Sequence, residues 1–190
     1  EDTYRKPYAS DGQQLYALAL DHHNGAGRWW VGPAGRWRQQ GVVLKPWRTD
    51  GEHILVLPQR SIGPKGVAMP PSWLDVTLGQ LKVLTKRPVR VRTHPGNVPT
   101  QRPLEADLEG AWAVVTWGSG GAIKALCAGV PVFTSWPGWV GAEAARPFPG
   151  DLEIPLTDDV SRETMLDKLA WAQWTVAEIA TGEPFKRLLS

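Results

Sequence analysis

The chain has 190 residues, enough for one domain with its own hydrophobic core, or for one domain carrying an extension. Apolar and aromatic residues make up 42%, and 21 Lys and Arg against 19 Asp and Glu leave a net charge of +2, so charge singles out neither nucleic acid nor a membrane surface. A single cysteine, Cys127, excludes an intramolecular disulfide and fits a reducing, cytoplasmic setting. No run of about 18 apolar residues predicts a membrane span, and the first ten residues lack the apolar core of a signal peptide.

In chain order, residues 14–30 read as a strand or short helix followed by a Gly/Trp loop, and 41–47 as a further strand. Regular alternation begins near residue 53. The apolar run 53–59 predicts a buried strand. Trp73, Leu74, Leu78, Leu81 and Leu84 fall at helical spacing, so 72–86 predicts a helix with Pro71 at its entry and Ser72–Asp75 in a capping arrangement. Residues 88–94 alternate as a strand, and 104–110 form a short helix stopped by Gly110. The run 111–117 is a strand, 119–129 a helix ended by Gly129, and 131–135 a strand opened by Pro131. Residues 161–189 predict one long helix capped by Ser161 and ended or kinked by Gly182 and Pro184. Asp158 and Asp159 then lie in a solvated turn before it.

Strands alternating with helices over short connections predict an α/β fold: a Rossmann-like parallel sheet with helices on both faces and an N-terminal extension. Residues 1–50 form that extension, or the remnant of a partner lobe, and 51–190 form the sheet domain. Such sheets bind ligands at the carboxyl ends of their strands. The loops to watch are therefore 59–71, 94–103, 118–121 and 135–142.

Gly118, Ser119, Gly120 and Gly121 stand directly between a buried strand and a helix. Amides at a helix N-terminus make an anion site, and Ser119 adds a hydroxyl; tight packing is the other reason for glycines there. The spacing matches neither a Walker loop nor the dinucleotide fingerprint. His94 follows a strand at the same edge, with Pro95 and Gly96 turning the chain. An imidazole there would hold a phosphate or protonate a leaving group, or simply sit in a loop. The long 58–71 loop carries Arg60, Gly63 and Lys65; with Arg92 and Lys124 it supplies positive charge that surface solvation would also explain. Trp136 and Trp139 read as a rigid aromatic lid or as a packing plug, with Glu143 just beyond. The eleven tryptophans, among them Trp29–Trp30 and Trp171/Trp174, either stack on a sugar or base or fill a core. His22–His23 lack companions at metal-ligand spacing, so no metal is expected.

Two stretches, "RTHPG" (92–96) and "VVTWGSGGAIKALCAGVPVFTS" (114–135), resemble the C-terminal, nucleotide-sugar-binding half of GT-B glycosyltransferases, most of all the capsule-polysaccharide Kdo transferases and bacterial sialyltransferases. The matching positions are His94–Pro95, Ser119 and Gly129–Val130–Pro131–Val132, and the likeness covers about residues 53–180. It implies a GT-B half-domain of bacterial or phage type. A nucleotide-activated sugar, a CMP-sugar within the class, is the co-substrate, with no resident cofactor or metal. A glycan or modified DNA is the acceptor. His94 would contact the phosphate and assist departure of the nucleotide, Ser119, Gly120 and Gly121 would bind the same phosphate, and Glu143 would hold a ribose or sugar hydroxyl. The acidic pair-glycine motif of sialyltransferases is missing: Asp50–Gly51 stands in the wrong half, and Asp21, which follows an apolar run, is the other candidate base. Residues 1–50 are too few for an acceptor lobe. The chain is then a minimal transferase completing its cleft as a homodimer, part of a larger enzyme, or a domain that binds the donor without turning it over. A non-catalytic phosphosugar-binding module and a Trp-rich protein-interaction domain are the alternatives.

Overall fold

Five parallel strands, β2 (His53–Leu57), β3 (Val89–Val91), β4 (Ala111–Thr116), β5 (Val132–Thr134) and β6 (Arg146–Pro147), pair in the order β3-β2-β4-β5-β6. The computed structural model describes residues 14–22, 27–94 and 102–190. The two-residue period of a strand divides the apolar runs between two faces. Ile54, Val56, Ala113, Val115 and Phe133 pack with Trp73 and Leu81 of α2 (Trp73–Leu84) and with Met69, Phe148 and Leu152. Leu55, Leu57, Val114 and Val132 pack on the other face, against α4 (Gly120–Cys127), α5 (Asp159–Ala170) and Leu108 of α3 (Leu104–Leu108). Helices therefore cover both faces, as the alternation predicts. β2 and β4 are buried along their length because neither face meets water. β3 is an exposed edge.

The chain runs outward from β2 to β3, then crosses back to β4 and continues the other way. The carboxyl ends of β2 and β4 thus border the point where the direction of travel reverses, which is where sheets of this kind bind ligands.

Several boundaries differ from expectation. The predicted single helix 161–189 is α5, then β7 (Gln173–Thr175), α6 (Val176–Ala180) and α7 (Glu183–Leu189). β7 pairs antiparallel with β1 (Leu15–Ala17), burying Leu15, Gln173 and Trp174. A capping box between Thr175 and Glu178 starts α6, and Gly182 at φ +76 ends the turn after it. Asp158, not Ser161, caps α5: its carboxylate accepts the amides of Val160 and Ser161, 3.1 and 2.9 Å away. Asp159 pairs with Arg162. Ser72 makes no side-chain cap on α2. The predicted strand 41–47 is an extended segment outside any sheet, tied to α4 by Lys45 N–H to Cys127 O and Arg48 N–H to Gly129 O. Trp37 of α1 (Arg36–Gln39) and Val42 join the core beside α4 and α5.

His53 opens β2 and is fully enclosed. Its Nε2 lies 3.2 Å from the Asp107 carbonyl, and its Nδ1 has no partner among the described residues. Burial pushes its pKa below 6.5, against the Asp107 carbonyl, and Arg90 and Arg48 push the same way. A depressed imidazole pKa means that the unfolded chain takes up the proton first. Stability is then fully present above pH 6.5 and falls as pH drops below it. Urea midpoints measured from pH 8 to 5 are expected to be flat above about 6.5 and to decline below it, and His53→Gln is expected to flatten that decline. An unchanged slope in the variant would show that His53 does not set it.

Candidate functional site

The site is built on the turn from β4 into α4. Buried Thr116 sends its hydroxyl to Leu57 O at 2.9 Å, which ties the ends of β4 and β2, and the same oxygen accepts the Ser119 amide at 3.0 Å. Ser119 is the N-cap of α4. Its Oγ accepts the Gly121 amide at 3.2 Å, and its carbonyl accepts the Ala122 amide. The expectation of several outward-pointing amides is thereby narrowed. Ser119, Gly121 and Ala122 N–H are spent inside the turn, and Gly120 N–H has no partner among the described residues. Ser119 uses its hydroxyl as an acceptor, so the hydroxyl proton stays available for a ligand.

The glycines also answer to packing. A methyl group on Gly118 would lie 2.9 Å from Trp136 Cε3 and 3.2 Å from Trp139 Cδ1. On Gly121 it would lie 3.3 Å from Leu104 and 3.4 Å from Leu57. Gly118 therefore lets two indoles close on the turn, and Gly121 lets α3 approach α4.

The loops at this edge are cross-tied. Gln59 donates to Gly118 O at 2.7 Å, Trp117 Nε1 to Val67 O at 2.9 Å and Trp73 Nε1 to Ser135 Oγ at 2.9 Å. Thr134 donates to Trp117 O at 2.8 Å. Gln59, Trp73, Thr116, Trp117, Thr134 and Ser135 were not legible as site-builders: their partners lie up to 62 positions away, and nothing local marks them.

Arg60, Gly63 and Lys65 sit on the exposed part of the 58–72 loop, where Ser61 takes φ +56 and Gly63 φ +131. Neither cation has an ion-pair partner among the described residues. Arg92 is neutralised by Asp107, which also faces Arg102 at 3.8 Å. His94 is half-buried and leaves β3 at the same edge as Ser119. β2 stands between their strands, so the two strand ends are roughly 10 Å apart. Pro95 lies outside the described residues. Lys124 is half-buried in the middle of α4.

Trp136 and Trp139 are 8% and 3% exposed and fill the space beside Gly118. Glu143, in the 3-10 turn Ala142–Ala144, pairs with Lys168 of α5 at 2.5 Å. Asp21 has φ +69 and pairs with Arg28 at 3.0 Å, in the segment that carries β1 rather than in the five-stranded sheet. His22 is exposed, His23 lies outside the described residues, and no group of three metal-ligating side chains occurs among the described residues. The other tryptophans at the chain ends knit residues 29–36 to 171–187. Trp30 meets Trp171 edge-on at 4.7 Å, and the Arg36 guanidinium stacks 4.3 Å from Trp174.

A shallow depression of about 650 Å³ lies at the opposite edge, lined by Glu52, Leu84, Arg87 and Glu153 among others. It is open, and the Arg87–Glu153 pair spans it. The Gly120 amide, with no partner among the described residues, lies instead at the carboxyl ends of β2 and β4. No helix among the described residues is long and apolar enough to cross a membrane. No protein-family model matches the chain, and no curated protein matches its sequence.

Proposed function

We propose that this chain is the donor-binding half of a metal-independent, GT-B-type glycosyltransferase that seats the phosphate of a nucleotide-activated sugar at the opening of α4. One observation carries the reading. At the carboxyl ends of β2 and β4, the Gly120 amide and the Ser119 hydroxyl proton have no partner among the described residues at the start of α4, and the loop after β2 bears Arg60 and Lys65, which have no ion-pair partner among the described residues. Amides and a hydroxyl fixed in advance, with cations nearby, stabilise charge that grows on a departing phosphate. His94, on the same edge, would protonate or hold that phosphate. The acceptor is a glycan or a modified nucleic acid, and the compartment is the cytoplasm. A second reading, a domain that binds the donor without turning it over, is favoured by the place of Asp21, whose carboxylate is engaged with Arg28 away from the edge.

Calorimetry with CMP, UDP and ADP tests the site. Binding of one nucleotide is expected, and failure of all three at millimolar concentration would remove the proposal. Hydrolysis of a nucleotide-sugar then separates enzyme from binder. His94→Ala is expected to lower turnover by about 100-fold or more with a smaller change in affinity. Equal loss in both would leave His94 as a phosphate holder only.

A further inference from the structure

α2 buries Trp73, Thr77 and Leu81 on one side and leaves Val76, Gly79 and Val83 exposed on the other. Val76 is 54% exposed and Val83 86%. Exposed valines scattered singly are ordinary; these two flank a glycine in mid-helix. Glycine weakens a helix relative to alanine, and no packing within the protomer asks for it here, since a methyl on Gly79 would meet nothing within 4 Å among the described residues. A glycine on an outward face does let a second backbone come close. At about 100° per residue, Val76 and Val83 lie about 60° and 40° to one side of Gly79, one below it and one above, while Asp75 and Lys82 lie about 40° and 60° to its other side. Asp75 and Lys82 are exposed, and neither has an ion-pair partner among the described residues.

We propose that the outer face of α2 is a self-association surface, on which a second copy of this chain lays its own α2 antiparallel about a two-fold axis at Gly79. The charge pattern selects that partner. A two-fold axis in the interface, perpendicular to both helices, reverses position along the helix and keeps the side. Val76 of one copy then stands against the partner's Val83, and Asp75 against the partner's Lys82, each pair within about 1.5 Å of the same height along the helix. Each match occurs twice, as an isologous contact requires. A parallel pairing would instead set each valine against the charged side. The proposal does not rest on the phosphate reading. One pair of helix faces makes a small interface, so the dimer is weak and concentration-dependent.

Sedimentation equilibrium of the full chain over a concentration series reads the association. The wild type is expected to pass from monomer to dimer below about 1 mM. Asp75, Gly79 and Lys82 are exposed, so their substitution leaves the core intact. Gly79→Ala is expected to raise the melting temperature of the dilute protein, because alanine is the better helix former. It is also expected to weaken the dimer about tenfold, because the added methyl stands between the helices. Asp75→Lys and Lys82→Asp are each expected to weaken it about tenfold, since like charges then oppose each other twice. Combining the two reversals is expected to restore the wild-type affinity to within about threefold. A wild type that stays monomeric up to that concentration would overturn the proposal. So would a dimer indifferent to Gly79→Ala and to both single reversals, which would put the contact on another face. A double reversal no tighter than the single ones would remove the antiparallel register, and the proposal with it.

Discussion

Replacing Gly129 with alanine is expected to destabilise the fold by about 2–5 kcal/mol, read as a shift of the urea midpoint at unchanged slope. Two independent costs add. Gly129 ends α4 at φ +77, with its amide on Leu126 O and the Val130 amide on Ala125 O, and an alanine in that left-handed conformation costs about 1–2 kcal/mol. The new Cβ would also stand 2.0 Å from Pro46 O and 2.9 Å from Pro46 C. Both atoms are backbone, so no side chain can rotate away, and overpacking of this kind costs about 1–3 kcal/mol. Gly66 is the control: it also has positive φ, at +90, but an added Cβ meets nothing within 4 Å. Gly66→Ala should therefore show only the conformational part. A loss below 1 kcal/mol in Gly129→Ala would mean that the 45–48 segment does not lie on this glycine. The same result would bear on how the Gly-Val-Pro-Val stretch is read, because its glycine has a structural reason to be glycine whatever the domain binds.

The sheet was legible because its central strands declare themselves locally. Residues 53–57 and 111–116 are continuous apolar runs, which two covered faces demand. The end of the chain was not legible, because apolar residues continue past the end of α5 through Trp174, Val176, Ala177 and Ile179, with no glycine or proline before Gly182. What breaks the helix is the pairing of three residues with Leu15–Ala17, some 158 positions earlier in the case of Tyr16 and Trp174. The start of α6 did carry a sign, since Thr175 followed three residues on by Glu178 is a capping box. At the site, Ser119 was readable as a cap. Thr116 was not, because its hydroxyl is oriented by Leu57 across the sheet. The stretch Trp136-Pro-Gly-Trp-Val-Gly141 held a further clue. Gly138 lies against the Trp136 indole and Gly141 against that of Trp139, so each glycine makes room for a ring, as packing requires of an indole that turns inward.

Arg162→Ala is expected to cost about 3–5 kcal/mol, the range for breaking one side of a buried charged network. The Arg162 side chain is 3% exposed. Its Nη1 donates to Lys45 O at 2.9 Å and to Leu126 O at 3.1 Å, and its Nη2 to Asp159 at 2.6 Å. Its guanidinium stacks 4.1 Å from the Trp47 ring. Truncation leaves Lys45 O without that donor and Leu126 O with the Gly129 amide alone, and it removes a cation from the C-terminal end of α4, where it favours the helix dipole. Asp159→Ala should cost little, about 0–1 kcal/mol, because that carboxylate is two-thirds exposed. Arg162→Lys should fall between, since an ammonium cannot fork to both carbonyls while stacking flat on an indole. If Arg162→Ala and Asp159→Ala cost the same, the carbonyl contacts contribute nothing. Both Arg162 and Gly129 hold one short segment, through Lys45 O and Pro46 respectively. Their substitutions should therefore be non-additive: once either has released residues 45–48, the other has less to lose. The double variant is expected to fall short of the sum by 1 kcal/mol or more, which is about the size of coupling found between residues sharing a partner. Strict additivity would place the two contacts in separately stable parts of the fold.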